Sequence, residues 1–445
     1  MNRDYRALAD RIAADIAAGR IATGTRLPPQ RDFAYAEGIA ASTAGRVYAE
    51  LTRRGLIAGE VGRGSYVRMA AAPASPALAE PPAATVDLEL IFPVLPDQPA
   101  DMAAGLARLL TPDMLLRALR PTGAAATAQA RAIAADFMAR GGWAPPADAI
   151  LFTGNGRQAI AGAMAALAPA GGRIGVEALT YPVVKGIAGR LGITLVPITV
   201  DDQGLRPDAL ARAGRGGRLS GIYLQPALQN PLGLTMGAQR RADLGAALAR
   251  HDLVAIEDGI YSFLTDEPPL AANAPDRVIM VDSLSKRIAP GLTLGIAVGC
   301  TAIGERLAAA VRSGAWGPPG VPLAIGLHWM ADGTARRIGL AKRADAAARQ
   351  QLARTVLDGL TLRGDPRAYH LWLDLPEHWR AESFAAAAAR QGIAVTPASA
   401  FTIGAGHAPN AVRLALAAPD METLGTALGR LRRLALSDGA EPLSD

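Results

Sequence analysis

Lysine is almost missing from this chain of 445 residues: Lys185, Lys286 and Lys342 are all it has. Chemistry that needs a reactive amine therefore has three places to reside. Cysteine is scarcer, with Cys300 alone, which excludes a disulfide framework and a cysteine-rich zinc site. The five histidines fall at no ligand spacing, so no metal centre is expected. No apolar signal region opens the N-terminus. The uncharged run from Ile288 to Gly304 is broken by Pro290, Gly291, Gly295 and Gly299, and a buried strand with its turns fits it better than a membrane helix. The expected location is the cytoplasm, with no membrane partner. No internal repeat is visible.

What is present divides unevenly. The length suggests two or three domains with ample apolar content for a core. Residues 1–68 hold eleven arginines against seven acids, which gives +4 of the net charge of +6. Tyr5, Leu8, Ile12 and Ile16 recur at helical spacing, and Gly19 follows as a stop. Leu27-Pro28-Pro29 opens a second helix, with Pro29 suited to its first turn and Gly38 closing it. A third helix from about Ser42 gives Val47 and Leu51 to the core and leaves Thr43 and Arg46 outward, and its last turn carries Arg53 and Arg54. Leu56-Ile57-Ala58 and Ser65-Tyr66-Val67 bracket Gly62-Arg63-Gly64, a hairpin with an arginine at its tip. In outline this is a winged helix-turn-helix, one helix for a major groove and one basic tip beside it.

A proline- and alanine-rich linker, residues 69–86, separates this module from the rest. Beyond it, helical patterns alternate with short apolar runs at 150–153, 173–176, 194–198, 221–225, 253–257, 278–282 and 294–298. That alternation implies a largely parallel sheet with ligands at the carboxyl ends of its strands. Every residue type needed to hold pyridoxal phosphate follows one of those runs. Gly154-Asn155-Gly156-Arg157-Gln158 is a tight turn into a helix whose free N–H groups suit a phosphate. Tyr181 is an aromatic that could stack on a ring. Asn230, in Gln229-Asn230-Pro231-Leu232-Gly233, and Tyr261 can share a phenolic oxygen, and Asp258 can keep a pyridine nitrogen protonated. Ser283-Leu284-Ser285-Lys286 sets a lysine among hydroxyls, where partial desolvation frees its amine for a Schiff base. Taken singly these are commonplace turns and caps; in this order, each after a strand, they point to the cofactor.

"GTRLPPQRDFAYAEGI", "RVYAELTRRGLI" and "GRGSYV" resemble the GntR family of bacterial regulators over about the first 68 residues. With the second half included, the chain resembles the MocR subgroup. The resemblance implies an α/β fold of fold-type I aminotransferase type over 87–435 behind the winged helix of 1–68. Its large domain would span about 120–325 and its small domain mainly 326–435. It implies operator DNA contacts from Arg31, Ser42, Thr43, Arg46 and Arg63. It implies Lys286 as the Schiff-base lysine and Asp258 as pyridinium partner, with Asn230 and Tyr261 on the phenolic oxygen and Tyr181 stacked. Gly156, Gln158, Ser283 and Ser285 fall on the phosphate, and Arg413, in "NAVRLALAAP", becomes the clamp for an effector carboxylate.

Two departures stand out. Ala40, Ala41 and Gly45 replace a helix cap and polar positions common in relatives, so operator sequence does not carry over. Thr293 replaces the arginine that usually pairs with the phosphate, leaving Arg157 or Arg287 as substitutes. Two functions fit: a homodimeric, DNA-binding regulator that reads an amino-acid-like effector or the cofactor itself, or an aminotransferase with an incidental N-terminal module.

Overall fold

The computed structural model describes residues 5–17, 20–21, 24–53, 56–60, 64–67, 84–314, 316–404 and 408–437. The chain forms two compact units, Met1–Ala79 and Glu80–Asp445.

In the first unit, helices α1 (Tyr5–Ala17), α2 (Gln30–Glu37) and α3 (Ala41–Arg53) precede the strands β1 (Ile57–Glu60) and β2 (Gly64–Val67). Leu8, Ile12 and Ile16 pack with Phe33, Val47 and Leu51, as their helical spacing requires. Pro29 stands at the N-cap of α2 and not within its first turn. Gly38 closes α2 at φ 62°, a left-handed conformation that glycine adopts without strain. The N–H groups of Gly38 and Ile39 there satisfy the carbonyls of Tyr35 and Ala34. The two strands pair antiparallel, Ile57 with Val67. Arg63, at the expected hairpin tip, lies outside the described residues, as do Gly19, Arg54 and linker residues 69–83.

The second unit begins with β3 (Val86–Leu88), so Val86 is strand and not linker. Helices α4 (Gln98–Leu109), α5 (Pro112–Ala118) and α6 (Ala128–Met138) follow. The alternating part comprises β4 (Ile150–Thr153), α7 (Gly156–Leu167), β5 (Arg173–Glu177), α8 (Val183–Leu191), β6 (Thr194–Ile198), the small pair β7 (Val200–Asp201) and β8 (Gly204–Leu205), α9 (Ala209–Ala213), β9 (Gly221–Leu224), α10 (Ala238–Arg250), β10 (Ala255–Asp258), β11 (Val278–Ser283), α11 (Leu284–Arg287) and β12 (Gly295–Val298). Then come α12 (Gly304–Ser313), α13 (Gly320–Ala331), α14 (Thr334–Val356), β13 (Thr361–Arg363), β14 (His370–Asp374), α15 (Ala381–Arg390), β15 (Ile393–Pro397), β16 (Ala411–Ala415) and α16 (Met421–Leu436).

Each apolar run read from the sequence becomes a strand of one seven-stranded sheet, ordered β4-β12-β11-β10-β9-β5-β6. It is parallel except at β12, which runs antiparallel to β4 and β11. Strands β4, β9, β10, β11 and β12 are buried along their whole length, because helices cover both faces of such a sheet. A second sheet, ordered β13-β14-β16-β15-β3, is antiparallel except where β3 joins β15 in parallel. It packs against α15 and α16 around Phe384, Leu414 and Leu428. Among the described residues no helix is long and apolar enough to cross a membrane.

Candidate functional site

The parallel register of β9 and β10 brings Tyr223 and Gln225 beside Asp258, which ends β10 and is 3% exposed. One carboxylate oxygen of Asp258, Oδ2, accepts from the Tyr223 hydroxyl at 2.6 Å and from Gln225 Nε2 at 2.9 Å. The other, Oδ1, accepts the Ile260 N–H at 3.1 Å. Burial pushes this carboxyl up to about 6, against the hydrogen bonds, which lower it. A second buried acid, Glu177, ends β5. Its Oε2 accepts the Gln225 N–H and Gln229 Nε2, both at 3.3 Å, while Oε1 has no partner. Burial pushes Glu177 up to about 8. The sequence reading missed it because a glutamate at the end of an apolar run looks like a solvated strand end.

Lys286 lies in α11, directly after β11. Its Nζ donates to the Ile91 carbonyl at 2.5 Å and stands 3.9 Å from the centre of the Phe92 ring. Burial foremost, then the charges of Arg157, Arg413 and Lys342, hold its amine well below the ordinary lysine value. That is the condition for a neutral nucleophile near neutral pH. Lys342, on α14, is fully buried without a carboxylate on its amine. Its Nζ donates to Ile288 O at 2.6 Å, Pro93 O at 2.7 Å and Lys286 O at 3.0 Å. Three carbonyls match the three hydrogens of an ammonium, even as burial lowers it to about 7.

Three hydroxyls converge beside Lys286. Ser283 Oγ accepts the Ser285 N–H at 2.9 Å, bonds Ser285 Oγ at 2.7 Å and lies 3.3 Å from Thr293 Oγ1, which also bonds Ser285 Oγ. The start of α7 packs onto them: a Cβ on Gly156 would sit 3.1 Å from Ser283 Cβ, closer than most side chains tolerate. Asn155 caps α7 by accepting the Gln158 N–H at 3.0 Å. That engages the Gln158 backbone donor, which was expected to face a phosphate; its side-chain Oε1 has no partner. Of the two arginines that could stand in for Thr293, Arg287 is committed elsewhere. It pairs with buried Asp282 at 2.8 Å and lies over Phe137 and Phe263 at 4.5 and 5.3 Å. Arg157 lies against the Tyr181 hydroxyl and acts on Lys286.

Arg413, on β16, is 5% exposed. Nη1 donates to Asn230 Oδ1 at 3.2 Å, Nη2 to Thr396 Oγ1 at 3.0 Å and also to the Glu89 carbonyl, and Nε has no partner. Tyr261 is buried with its ring 5.6 Å from that of His370, and burial raises its hydroxyl. His370 bonds the Gln229 carbonyl at 3.0 Å and is lowered by burial to about 4, so it is a neutral core residue. Among the described residues no acid, histidine or cysteine cluster could hold a metal. Tyr181 follows a segment bonded to the second sheet's side of the unit: Thr180 N to Phe401 O at 3.0 Å, and Ile403 N to Ala178 O at 3.0 Å. Lys185 adds a bond to Ala400 O at 2.6 Å.

Lys286, Asp258, Asn230, Tyr181 and Arg157 thus stand at or after the carboxyl ends of strands of the seven-stranded sheet, with Tyr261, Gly156, Ser283 and Ser285 beside them, and Arg413 joins them from the middle of β16 through Asn230. In the other unit, Arg31, Ser42 and Arg46 are exposed and Thr43 is half-buried. Tyr35, 92% exposed on α2, is an aromatic the sequence reading did not single out.

Two family descriptions match this chain: "Aminotransferase class I and II" over residues 119–431 and "Bacterial regulatory proteins, gntR family" over residues 4–67. The HTH-type transcriptional regulator YdeF of Bacillus subtilis is 30% identical over 444 residues, covering 97% of this chain and 94% of that protein. The vitamin B6 salvage pathway transcriptional repressor PtsJ of Salmonella typhimurium is 27% identical, covering 89% and 90%. Among solved structures, an α-aminoadipate aminotransferase, LysN of Thermus thermophilus, superposes with a TM-score of 0.70 at 23% identity, covering 79% of this chain and 92% of its own. At that identity the likeness shows the fold.

Proposed function

The chain belongs to the MocR-like regulators, in which a gntR-family DNA-binding module precedes a class I and II aminotransferase domain, and on that premise we propose that it regulates transcription in response to an amino-acid-like effector. Its cofactor is pyridoxal 5′-phosphate. When bound, that group supplies an electrophilic aldehyde and a ring that draws electrons when its nitrogen is protonated.

The residues present fit it. Asp258 has a buried carboxylate with Oδ1 carrying one backbone hydrogen bond, ready to hold a ring N–H. Tyr223 and Gln225 orient that carboxylate. Asn230 and Tyr261 suit the phenolic oxygen, Tyr181 the ring face, and the Ser283, Ser285 and Thr293 hydroxyls with the Gly156 turn the phosphate. Arg157 is the arginine proposed to answer the phosphate charge. Lys286 supplies an amine whose burial favours the neutral form.

The observation that carries the effector reading is the pairing of Lys286 with Arg413. Both reach one short backbone segment, at Ile91 and Glu89 respectively, so a lysine that reacts with aldehydes and a buried guanidinium that fits a carboxylate converge on the same stretch of chain. An amino acid carries a carboxylate for the guanidinium and an amine that competes with Lys286 for the cofactor's aldehyde. In the first unit, Arg31, Ser42, Thr43, Arg46 and Arg63 are proposed to meet operator DNA, and the protein is proposed to act in the cytoplasm as a homodimer. A second reading, transamination, draws on the same lysine and arginine. The name of PtsJ supports a third, in which the cofactor itself is the signal. Gel shifts on the chain's own upstream DNA, with cofactor-loaded protein and a panel of amino acids and amines, test these readings beside a transaminase assay. An amino-acid-dependent shift is expected; turnover with no effect on DNA would favour the enzyme. Light scattering at micromolar concentration should give a dimer mass.

A further inference from the structure

Arg413 poses a stereochemical problem for any carboxylate. A guanidinium has five N–H donors, and a carboxylate that grips it bidentately uses one of two forks, Nε with Nη2 or Nη1 with Nη2. Both forks need a hydrogen on Nη2. Here Nη2 is saturated, one hydrogen on Thr396 Oγ1 and one on the Glu89 carbonyl. Thr396 is 2% exposed and directly opposite Arg413 in the β15–β16 ladder, so it is fixed by the sheet. Glu89 lies in the segment between β3 and α4, outside any strand. That segment is held at its carbonyls by three basic side chains: Arg413 on Glu89, Lys286 on Ile91 and Lys342 on Pro93.

We propose that Glu89–Pro93 is a built-in occupant of the carboxylate end of the pocket, that an effector carboxylate reaches Arg413 by displacing the Glu89 carbonyl, and that Lys342 is the positioning residue which keeps the segment in place. The proposal rests on the effector reading above. It commits the effector to a carboxylate, since an amine alone has nothing to exchange for the Glu89 carbonyl. Lys342 suits its role because it ties Pro93 to the Lys286 and Ile288 carbonyls at the end of α11, so one buried ammonium joins the segment to the helix that carries Lys286.

Displacement has a defined consequence upstream. The Glu89 carbonyl and the Leu90 N–H belong to one planar peptide. That N–H is bonded to Asp87 Oδ1 at 3.0 Å, and Glu89 N–H to the same oxygen at 2.7 Å. Rotating the peptide to free Arg413 breaks the Leu90 bond to a residue of β3. That strand is the first described element after residues 68–83, which join it covalently to the DNA-binding unit. The effector carboxylate therefore acts first on the end of the chain that leads to DNA.

Hydrogen exchange at the Leu90 amide, in the full-length cofactor-loaded protein, reads this directly. The probe is propionate, a carboxylate without an amine, with propylamine as the control. Propionate should raise Leu90 exchange saturably, and propylamine should not. Lys342→Met should raise it without ligand and tighten propionate binding about tenfold, the worth of one charge-assisted hydrogen bond. Thr396→Ala is the second variant: it frees one Nη2 hydrogen and the space the hydroxyl and methyl occupied, so propionate should bind it tightly while Leu90 stays protected. Propionate binding that depends on Arg413 but leaves Leu90 protected in the wild type would overturn the displacement and spare the effector reading. If propionate binds neither the wild type nor Thr396→Ala, the assignment of Arg413 as a carboxylate clamp fails, and the displacement with it.

Discussion

Replacing Arg157 by alanine tests how a site with Thr293 in place of a phosphate-pairing arginine holds its cofactor. A hydrogen bond to a charged group contributes about 1.5 to 3 kcal/mol. Arg157 is exposed, and screening of exposed charge leaves roughly half of that. The expected loss is about 0.8 to 1.5 kcal/mol, or a Kd weaker by about four- to twelvefold. The variant has a second effect. Arg157 is the foremost charge lowering the Lys286 amine, so its removal should move the pH midpoint of Lys286 upward. Spectrophotometric titration with pyridoxal 5′-phosphate measures the first, and the pH dependence of the lysine-bound absorbance the second. Salt separates charge from shape. Between about 0.01 and 1 M the Debye length falls from about 30 to 3 Å, and the advantage of the wild type should shrink accordingly. Thr293→Ala, which removes a neutral hydroxyl, should cost less than Arg157→Ala. A Kd for Arg157→Ala within about twofold of wild type, with an unmoved midpoint, would refute the assignment.

Lys286→Ala should lose the near-ultraviolet to violet absorbance of the lysine-bound cofactor and its borohydride-reducible label, read by mass spectrometry; a label on Lys185 or Lys342 would redirect the assignment. Glu177→Gln should change the pH dependence of stability. Because burial raises this acid from an ordinary value near 4.5 to about 8, the folded wild type holds a proton that the unfolded chain has released, and its stability falls as pH rises through that window. Thermal melts of wild type and variant should therefore diverge in the variant's favour from pH 5 to pH 8, and parallel curves would show that Glu177 does not titrate there. Arg46→Ala should weaken binding to upstream DNA. A salt slope reduced by about one would mark a phosphate contact, and lost discrimination of about 1 to 3 kcal/mol a base contact.

The positions of the candidate site residues were legible because parallel sheets deliver side chains at the carboxyl ends of their strands, and each such end carries a turn motif visible in sequence. Asp258, Asn230, Ser283 and Lys286 each follow an apolar run for that reason. The partners that tune them were not legible. Glu177, Tyr223 and Gln225 sit within or at the end of strands, where a polar residue has no distinguishing spacing. Lys342 was one of three lysines, yet its role depends on a carbonyl 249 residues away, and carbonyls leave no trace in sequence. Arg287 looked equivalent to Arg157 until the turn from β11 into α11 set Asp282 beside it. The segment Glu89–Pro93 lacks polar side chains beyond its first residue, and its hydrogen bonds to Arg413, Lys286 and Lys342 are made by its backbone carbonyls.

The parallel pairing of β3 with β15 has a consequence for how this protein is made. Val86 meets Ile393 across the ladder, so an edge of the second sheet is laid down early in synthesis and its neighbour some three hundred residues later, as the numbering of the two strands shows. Contacts so distant in sequence form slowly. The winged helix, built from contacts local to its first 67 residues, can fold well before them, as domains emerging from a ribosome generally do. A nascent chain of this protein is therefore expected to pass through a stage in which the DNA-binding module is complete while β3 still waits for its partner. Ribosome-bound fragments ending before residue 390 should then be protease-resistant in the first unit and cleavable around residues 84–95.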